Sequence, residues 1–203
     1  MAPRPDVSEE RMSQILDAAT EVISKRGFKD ASMDDIVSKA KISKGLLYWY
    51  FKGKDAVLVA LVNRFIQPEM RKLEKLPGQP GTARERLFKF VDDSAKQLSA
   101  MMGMIPIVFE FYVLAFRNKG VRKVLVEFFG VYLKSVREVI EQGVRAGEFR
   151  GVDPAQAAVT LGAVLEGVML LWLFDFRAAD LSTQLHGAAE LVVKGMESGG
   201  KKK

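Results

Sequence analysis

Ser32-Met33-Asp34-Asp35-Ile36-Val37-Ser38-Lys39-Ala40-Lys41-Ile42-Ser43-Lys44-Gly45-Leu46-Leu47-Tyr48-Trp49-Tyr50-Phe51-Lys52-Gly53-Lys54 is the stretch that decides the fold. Ser32 with Asp35 three residues on is a capping-box pattern, so a helix begins there. Ile36 and Val37 give it a short apolar face, and it ends near Ala40. Ser43 is placed to cap a second helix over Lys44 to Tyr50. Two short helices joined by a tight turn make a helix-turn-helix. Leu47 and Phe51 share the inward face of the second helix. Tyr48 and Tyr50 are left to project outward with hydroxyls suited to phosphate oxygens. Trp49 either joins them or packs against the first helix.

Charge follows the same division. From Ile36 to Lys54 there are five lysines (39, 41, 44, 52 and 54) and no acid. Residues 1–55 together hold ten basic and nine acidic side chains, so the cations gather around the second short helix while the acids lie before it. Cations placed opposite a phosphate backbone supply attraction where contact is needed. Asp34 either caps its helix or accepts from a cytosine amino group, with capping the preferred reading.

Outward from this segment the chain reads as helices only. Ser8-Glu9-Glu10 opens a helix whose apolar residues Ile15, Leu16, Ala19, Val22 and Ile23 recur at helical spacing. Gly27 ends it. Lys54 to about Leu73 is a longer helix, and Pro77-Gly78-Gln79-Pro80-Gly81 is a linker. Thr82 caps the next helix, an apolar helix runs from Ile107 to about Phe116, and a long amphipathic one spans Val121 to Ala146. Asp153-Pro154 opens a helix with small residues at 155, 158, 162, 163 and 167, and a final helix runs from Ser182 to about Met196. The expected architecture is all-α: a three-helix domain with the helix-turn-helix over 1–54, a larger helical domain over 55–197, and a mobile tail from 198 to 203.

Composition removes several classes of function. The 203 residues include no cysteine and one histidine, His186, which excludes disulfide scaffolds, cysteine-based metal sites and thiol nucleophiles. No nucleophile–base pair or metal cluster is evident, so an enzyme is not expected, and neither a metal nor a cofactor is implied. The net charge of +6 is compatible with an anionic partner. No signal peptide is visible. The most apolar run, Ala157 to Phe174, carries Glu166 near its centre, which disfavours a membrane span.

The motifs Gly27-Phe28, Ser32 to Ile36, Ala40 to Phe51 and Lys54 to Leu58 resemble the DNA-binding domain of the TetR family of transcriptional repressors. Gly143 to Phe149, Asp153-Pro154 and Ala157-Ala158 resemble the junction before that family's dimerisation helices. The resemblance implies a homodimer on palindromic operator DNA, with Lys44–Tyr50 as the recognition helix in the major groove. Lys44, Gly45 and Leu46 would lie nearest base edges. Ser32, Tyr48, Tyr50 and Lys54 match phosphate-holding positions, and Ser43 and Trp49 complete the contact set. The family's turn glycine is replaced here by Lys41, which at positive φ costs about 1 kcal/mol.

The remaining two-thirds is rich in Met and aromatic residues, which can build a core or an adaptable cavity between helices. The resemblance implies a pocket for a small inducer, and the composition favours an apolar or amphipathic one. Met101, Met104, Phe109, Tyr112, Phe116, Phe128, Tyr132, Glu166 and Trp172 are the candidate lining. Glu110, Asn118, Glu127 and Asp175 are further polar candidates. The expected protein is thus a cytoplasmic, ligand-released repressor without a membrane partner. Competing readings are a helical carrier or enzyme using the same cavity and a membrane-surface protein using the basic-aromatic helix.

Overall fold

A computed structural model describes residues 7–100, 105–174 and 180–197. Arg4, Met101, Met104, Asp175 and the tail from Ser198 lie outside the described residues, as does the side chain of Phe109. The helices are α1 (Val7–Asp30), α2 (Met33–Ala40), α3 (Lys44–Tyr50), α4 (Lys54–Lys75), α5 (Ala83–Ala100), α6 (Ile105–Ala115), α7 (Lys119–Arg145), α8 (Pro154–Phe174) and α9 (Leu181–Met196), with a short 3-10 turn at Leu76–Gly78. No strand occurs among the described residues beyond one isolated bridge between Phe149 and Glu197. The all-α expectation holds.

The chain forms two compact units, Met1–Gln67 with Gly103–Val126, and Pro68–Met102 with Glu127–Lys203. The first is larger than the domain expected over 1–54. The reason is apolar: Val57, Leu58, Leu61 and Val62 of α4 and Phe111 of α6 share one buried cluster with Ile15, Ala19, Ile23, Ile36, Leu47 and Phe51. The division falls at Pro68 inside α4, where proline removes a helical hydrogen bond.

Within the first unit, α1 kinks at Gly27, whose φ of 75° ends its regular part. Both carboxylate oxygens of Glu110 then accept from the Phe28 amide, at 2.9 and 3.0 Å. Glu110, a candidate ligand handle in the sequence, is therefore spent on tying α6 to the end of α1. Asn118 is likewise spent, accepting from the Val121 amide at 3.0 Å at the start of α7.

In the second unit, Thr82 and Glu85 form a reciprocal cap on α5, and α9 packs against both α5 and α8. Arg86 is buried, and its guanidinium donates to Pro77 O, the Gln142 side chain and Thr82 O, which pins the linker to α5 and α7. Gly143 permits the closest approach: a Cβ there would lie 2.8 Å from Ala83 Cβ and nearer still to the Phe149 ring. His186 lies at the surface with Nδ1 3.0 Å from Asp92 Oδ1 and its ring 4.7 Å from that of Phe88.

Candidate functional site

The helix-turn-helix is built by its caps. The Ser32 hydroxyl accepts from the Asp35 amide at 3.1 Å, while Asp35 accepts from the Ser32 amide at 3.0 Å. The Ser32 hydroxyl and amide, together with Arg26, hold the Asp35 carboxyl below its ordinary range. Lys41 closes α2 at φ 53°, ψ 47°, the one non-glycine residue at positive φ among the described residues. Its amide reaches Ser38 O and the Ile42 amide reaches Val37 O, so the turn is set by backbone bonds that favour a left-handed residue. Ser43 accepts from the Leu46 amide at 3.2 Å and starts α3.

Leu47 and Phe51 are buried and fix α3 to the core. Lys44, Gly45, Tyr48 and Trp49 face solvent and Leu46 is half-buried. A Cβ at Gly45 would meet nothing, so the fold does not require glycine there. Trp49 is 73% exposed, which decides its open alternative: it does not pack on a preceding helix. Tyr50 departs from the outward expectation. It is half-buried on the core cluster, its ring meets Trp49 edge-on at 4.7 Å, and its hydroxyl reaches Ser8 Oγ at 3.4 Å. One turn of helix has too few outward positions for three consecutive aromatics.

Two charged residues take roles that the sequence did not suggest. Lys54 Nζ donates to Phe28 O (2.8 Å), Lys29 O (3.0 Å) and Ala31 O (2.9 Å), and lies 4.6 Å from the Phe28 ring centre. An ammonium has three donors, so none remains for the expected phosphate contact. Asp34 does not cap α2: Ser32 is the cap and Asp35 completes the box. Instead its carboxylate meets Lys44 Nζ at 2.7 and 3.1 Å, and this bond raises the lysine above its ordinary range.

The candidate pocket residues divide between the units. Tyr112 and Phe116 belong to the first, where Phe116 is 91% exposed in the turn after α6 and lines no enclosed space. Phe128, Tyr132, Glu166 and Trp172 belong to the second. There, Tyr132 of α7 is 7% exposed, with Phe90 of α5 at 5.9 Å between ring centres. A Cβ at Gly162 of α8 would lie 2.7 Å from the Tyr132 ring. The Tyr132 hydroxyl has no hydrogen-bond partner among the described residues. Burial, with the charge of Glu166, pushes this phenol well above its ordinary range. Trp172 is buried and Phe128 is half-buried against Phe129. Phe90 was not singled out in the sequence and Gly162 only as one of the small residues of its helix, and the depth of Tyr132 brings both in.

Val159, Leu170, Leu171 and Phe174 of α8 and Leu191 of α9 are exposed. By length and hydropathy (1.5 over Pro154–Trp172), α8 alone among the described helices could cross a membrane. No group of metal-binding side chains occurs among the described residues.

A caped, core-anchored helix-turn-helix joined to a second helical unit defines a DNA-binding regulator. The model of the bacterial regulatory proteins of the tetR family matches residues 15–61, and that of the BetI-type transcriptional repressor C-terminal region matches residues 83–194. The chain belongs to the TetR family of transcriptional regulators. The fatty acid metabolism regulator protein of Bacillus subtilis is 26% identical over 188 residues, covering 91% of this chain and 95% of that protein. SmeT, the repressor of the Stenotrophomonas maltophilia multidrug efflux pump SmeDEF, superposes with a TM-score of 0.79 at 25% identity over 93% of this chain and 91% of its own. FadR of Bacillus subtilis in complex with stearoyl-CoA has the same fold, with a TM-score of 0.73 at 23% identity over 91% and 99% of the two chains.

Proposed function

We propose that this regulator is a homodimeric repressor that binds a palindromic operator and leaves it when an apolar or amphipathic small molecule binds. One observation carries the DNA half: α3 is anchored through Leu47 and Phe51 while Lys44, Gly45, Tyr48 and Trp49 face outward. An anchored helix with a polar-aromatic outer face fits the major groove, and Gly45 lets its backbone approach base edges. Leu46 and Ser43 flank that surface. Ser32 acts through its cap, and Tyr50 supports the helix from the side. The DNA-reading part is residues 1–54, held by the first half of α4.

The ligand half is supported by the unpaired Tyr132 hydroxyl, since a buried polar group costs stability until something pairs with it. Phe90 supplies an apolar neighbour and Glu166 a second polar group, and this reading assigns Phe128 and Trp172 to the same lining. The stearoyl-CoA bound to FadR and the triclosan bound to SmeT support an apolar or amphipathic ligand. The exposed apolar residues of α8 and α9, interleaved with Ala155, Ala163 and Gly187, suit a four-helix contact with a second copy. Glu166 in the middle of α8 argues for that partner over lipid. A cytoplasmic location goes with this proposed operator binding.

The test is selection of bound sequences from random duplexes with the full chain, with sedimentation for the subunit count. An inverted repeat bound by two subunits is expected. A monomer that binds no duplex at low salt overturns the proposal. Stearoyl-CoA serves as the first ligand probe, read as release of the selected duplex. Ligand and operator then weaken each other by one shared factor, as linkage requires.

A further inference from the structure

The pairing of Asp34 with Lys44 is not explained by folding. Both side chains are exposed, at 68% and 60%, and exposed ion pairs add little stability. Asp34 is not a cap either, because Asp35 closes the box with Ser32. A carboxylate on the surface that meets DNA also opposes phosphate. Its position is therefore informative: it stands at the first turn of α2 and touches the first residue of the recognition helix.

The chemistry of the pair is directional. Lys44 has three N–H donors, and Asp34 takes one side of the ammonium. Two donors remain, next to a carboxylate that only accepts. The pair thus presents donor, donor, acceptor in a row. In the major groove a G·C pair presents N7 acceptor, O6 acceptor and N4 donor in that order. An A·T pair places its amino donor between two acceptors, so it cannot satisfy the same row.

We propose that Asp34 and Lys44 read one G·C pair in each half-site as a unit, the ammonium on guanine N7 and O6 and the carboxylate on the cytosine N4 amino group. This rests on α3 entering the major groove, the reading given above. Asp34 also keeps Lys44 from serving as a plain phosphate contact, which trades general affinity for discrimination.

The test compares base preference at every operator position for the full-length protein and for Asp34→Ala, Asp34→Asn and Lys44→Ala. The wild type is expected to favour G·C at one symmetry-related position per half-site. Asp34→Ala lowers that preference about tenfold, leaves the other positions unchanged and tightens binding to random duplex DNA. Lys44→Ala erases the preference at the same position. Asp34→Asn, whose amide pairs with adenine N6 and N7, moves it toward A·T. Thermal unfolding is unchanged in all three, since the pair carries little of the fold. An Asp34→Ala profile identical in shape to the wild type overturns the proposal, as does a Lys44→Ala effect at a different position. Failure of the wild type to bind any duplex instead removes the underlying DNA-binding reading, so the two failures are distinct.

Discussion

Removing the Lys54 side chain should destabilise the first unit without altering how the protein senses salt on DNA. The ammonium bonds the carbonyls of Phe28, Lys29 and Ala31 where α1 ends. A net hydrogen bond to a charged group contributes about 1.5–3 kcal/mol. The Lys29 bond is exposed, so water replaces it cheaply, and two partly buried bonds remain. Charge at a helix C-terminus and over the Phe28 ring adds about 1 kcal/mol more. Allowing for relaxation, Lys54→Ala should cost about 3 kcal/mol, a large part of the stability of an ordinary domain.

Calorimetry checks the first half. For a unit of this size a loss of about 3 kcal/mol lowers the midpoint by roughly 10 °C or more. Duplex binding at a temperature where the variant is still folded checks the second. A lost phosphate contact reduces the slope of log K against log salt by about 0.9 per subunit. A side chain already committed to carbonyls leaves the slope unchanged. A variant with normal stability and a reduced slope would refute the capping role and restore the phosphate role.

Three further outcomes follow from the geometry. Lys41→Gly should raise the stability of the first unit by about 1 kcal/mol, because Lys41 holds a left-handed backbone; denaturant titration measures it. Tyr132→Phe should stabilise the ligand-free protein by about 1 kcal/mol by removing an unpaired buried hydroxyl, while weakening the stabilisation by the proposed amphipathic ligand, with stearoyl-CoA as its probe; paired thermal melts read both. Asp35 is held below its ordinary value near 3.8, so its contribution is present above that pH and fades as pH falls through the lowered value. Asp35→Asn should therefore melt lower than wild type at neutral pH, with the gap closing in acid; a gap that persists at a pH of about 2 argues against this account.

Backbone-local features were legible in the sequence, and side-chain partners were not. The box at Ser32 and Asp35, the bounds of α3 and the inward pair Leu47 and Phe51 depend on neighbours within one or two turns, where spacing determines geometry; the positive φ of Lys41 was signalled only by the turn glycine of the resembled family. Lys54 looked like a surface cation because its partners lie 23 to 26 residues earlier and are carbonyls, which carry no residue identity. Glu110 looked like a ligand handle because nothing near it in the chain reveals the Phe28 amide, 82 residues away. Phe116 looked like lining because aromatic character does not say which side of a helix end faces solvent. The first compact unit extends beyond residue 54 for the same reason: α6 joins its core through Phe111, a contact across a long loop of sequence.

These long-range partnerships bear on how the protein can tell one DNA site from another. The cations around α3 are largely engaged by protein groups: Lys39 meets Glu21 at 2.6 Å, Lys44 meets Asp34 at 2.7 Å, and Lys54 is committed to carbonyls. Arg26 and Arg64 are likewise paired with Asp35 and Asp17. An ion pair has no net charge to offer a distant phosphate, so the nearly neutral composition of this domain reflects pairing in space as well as equal numbers. Attraction that ignores sequence is correspondingly weak, and discrimination depends on how much of the binding comes from base edges instead. A helix-turn-helix with few unengaged cations and an outward row of Lys44, Gly45, Tyr48 and Trp49 is biased toward the second kind of contact. Replacing the acids on α1 and α2 by neutral residues would free the lysines, raise affinity for every duplex and erode selectivity, which is a physical reason for acids to sit so close to the surface proposed to meet DNA.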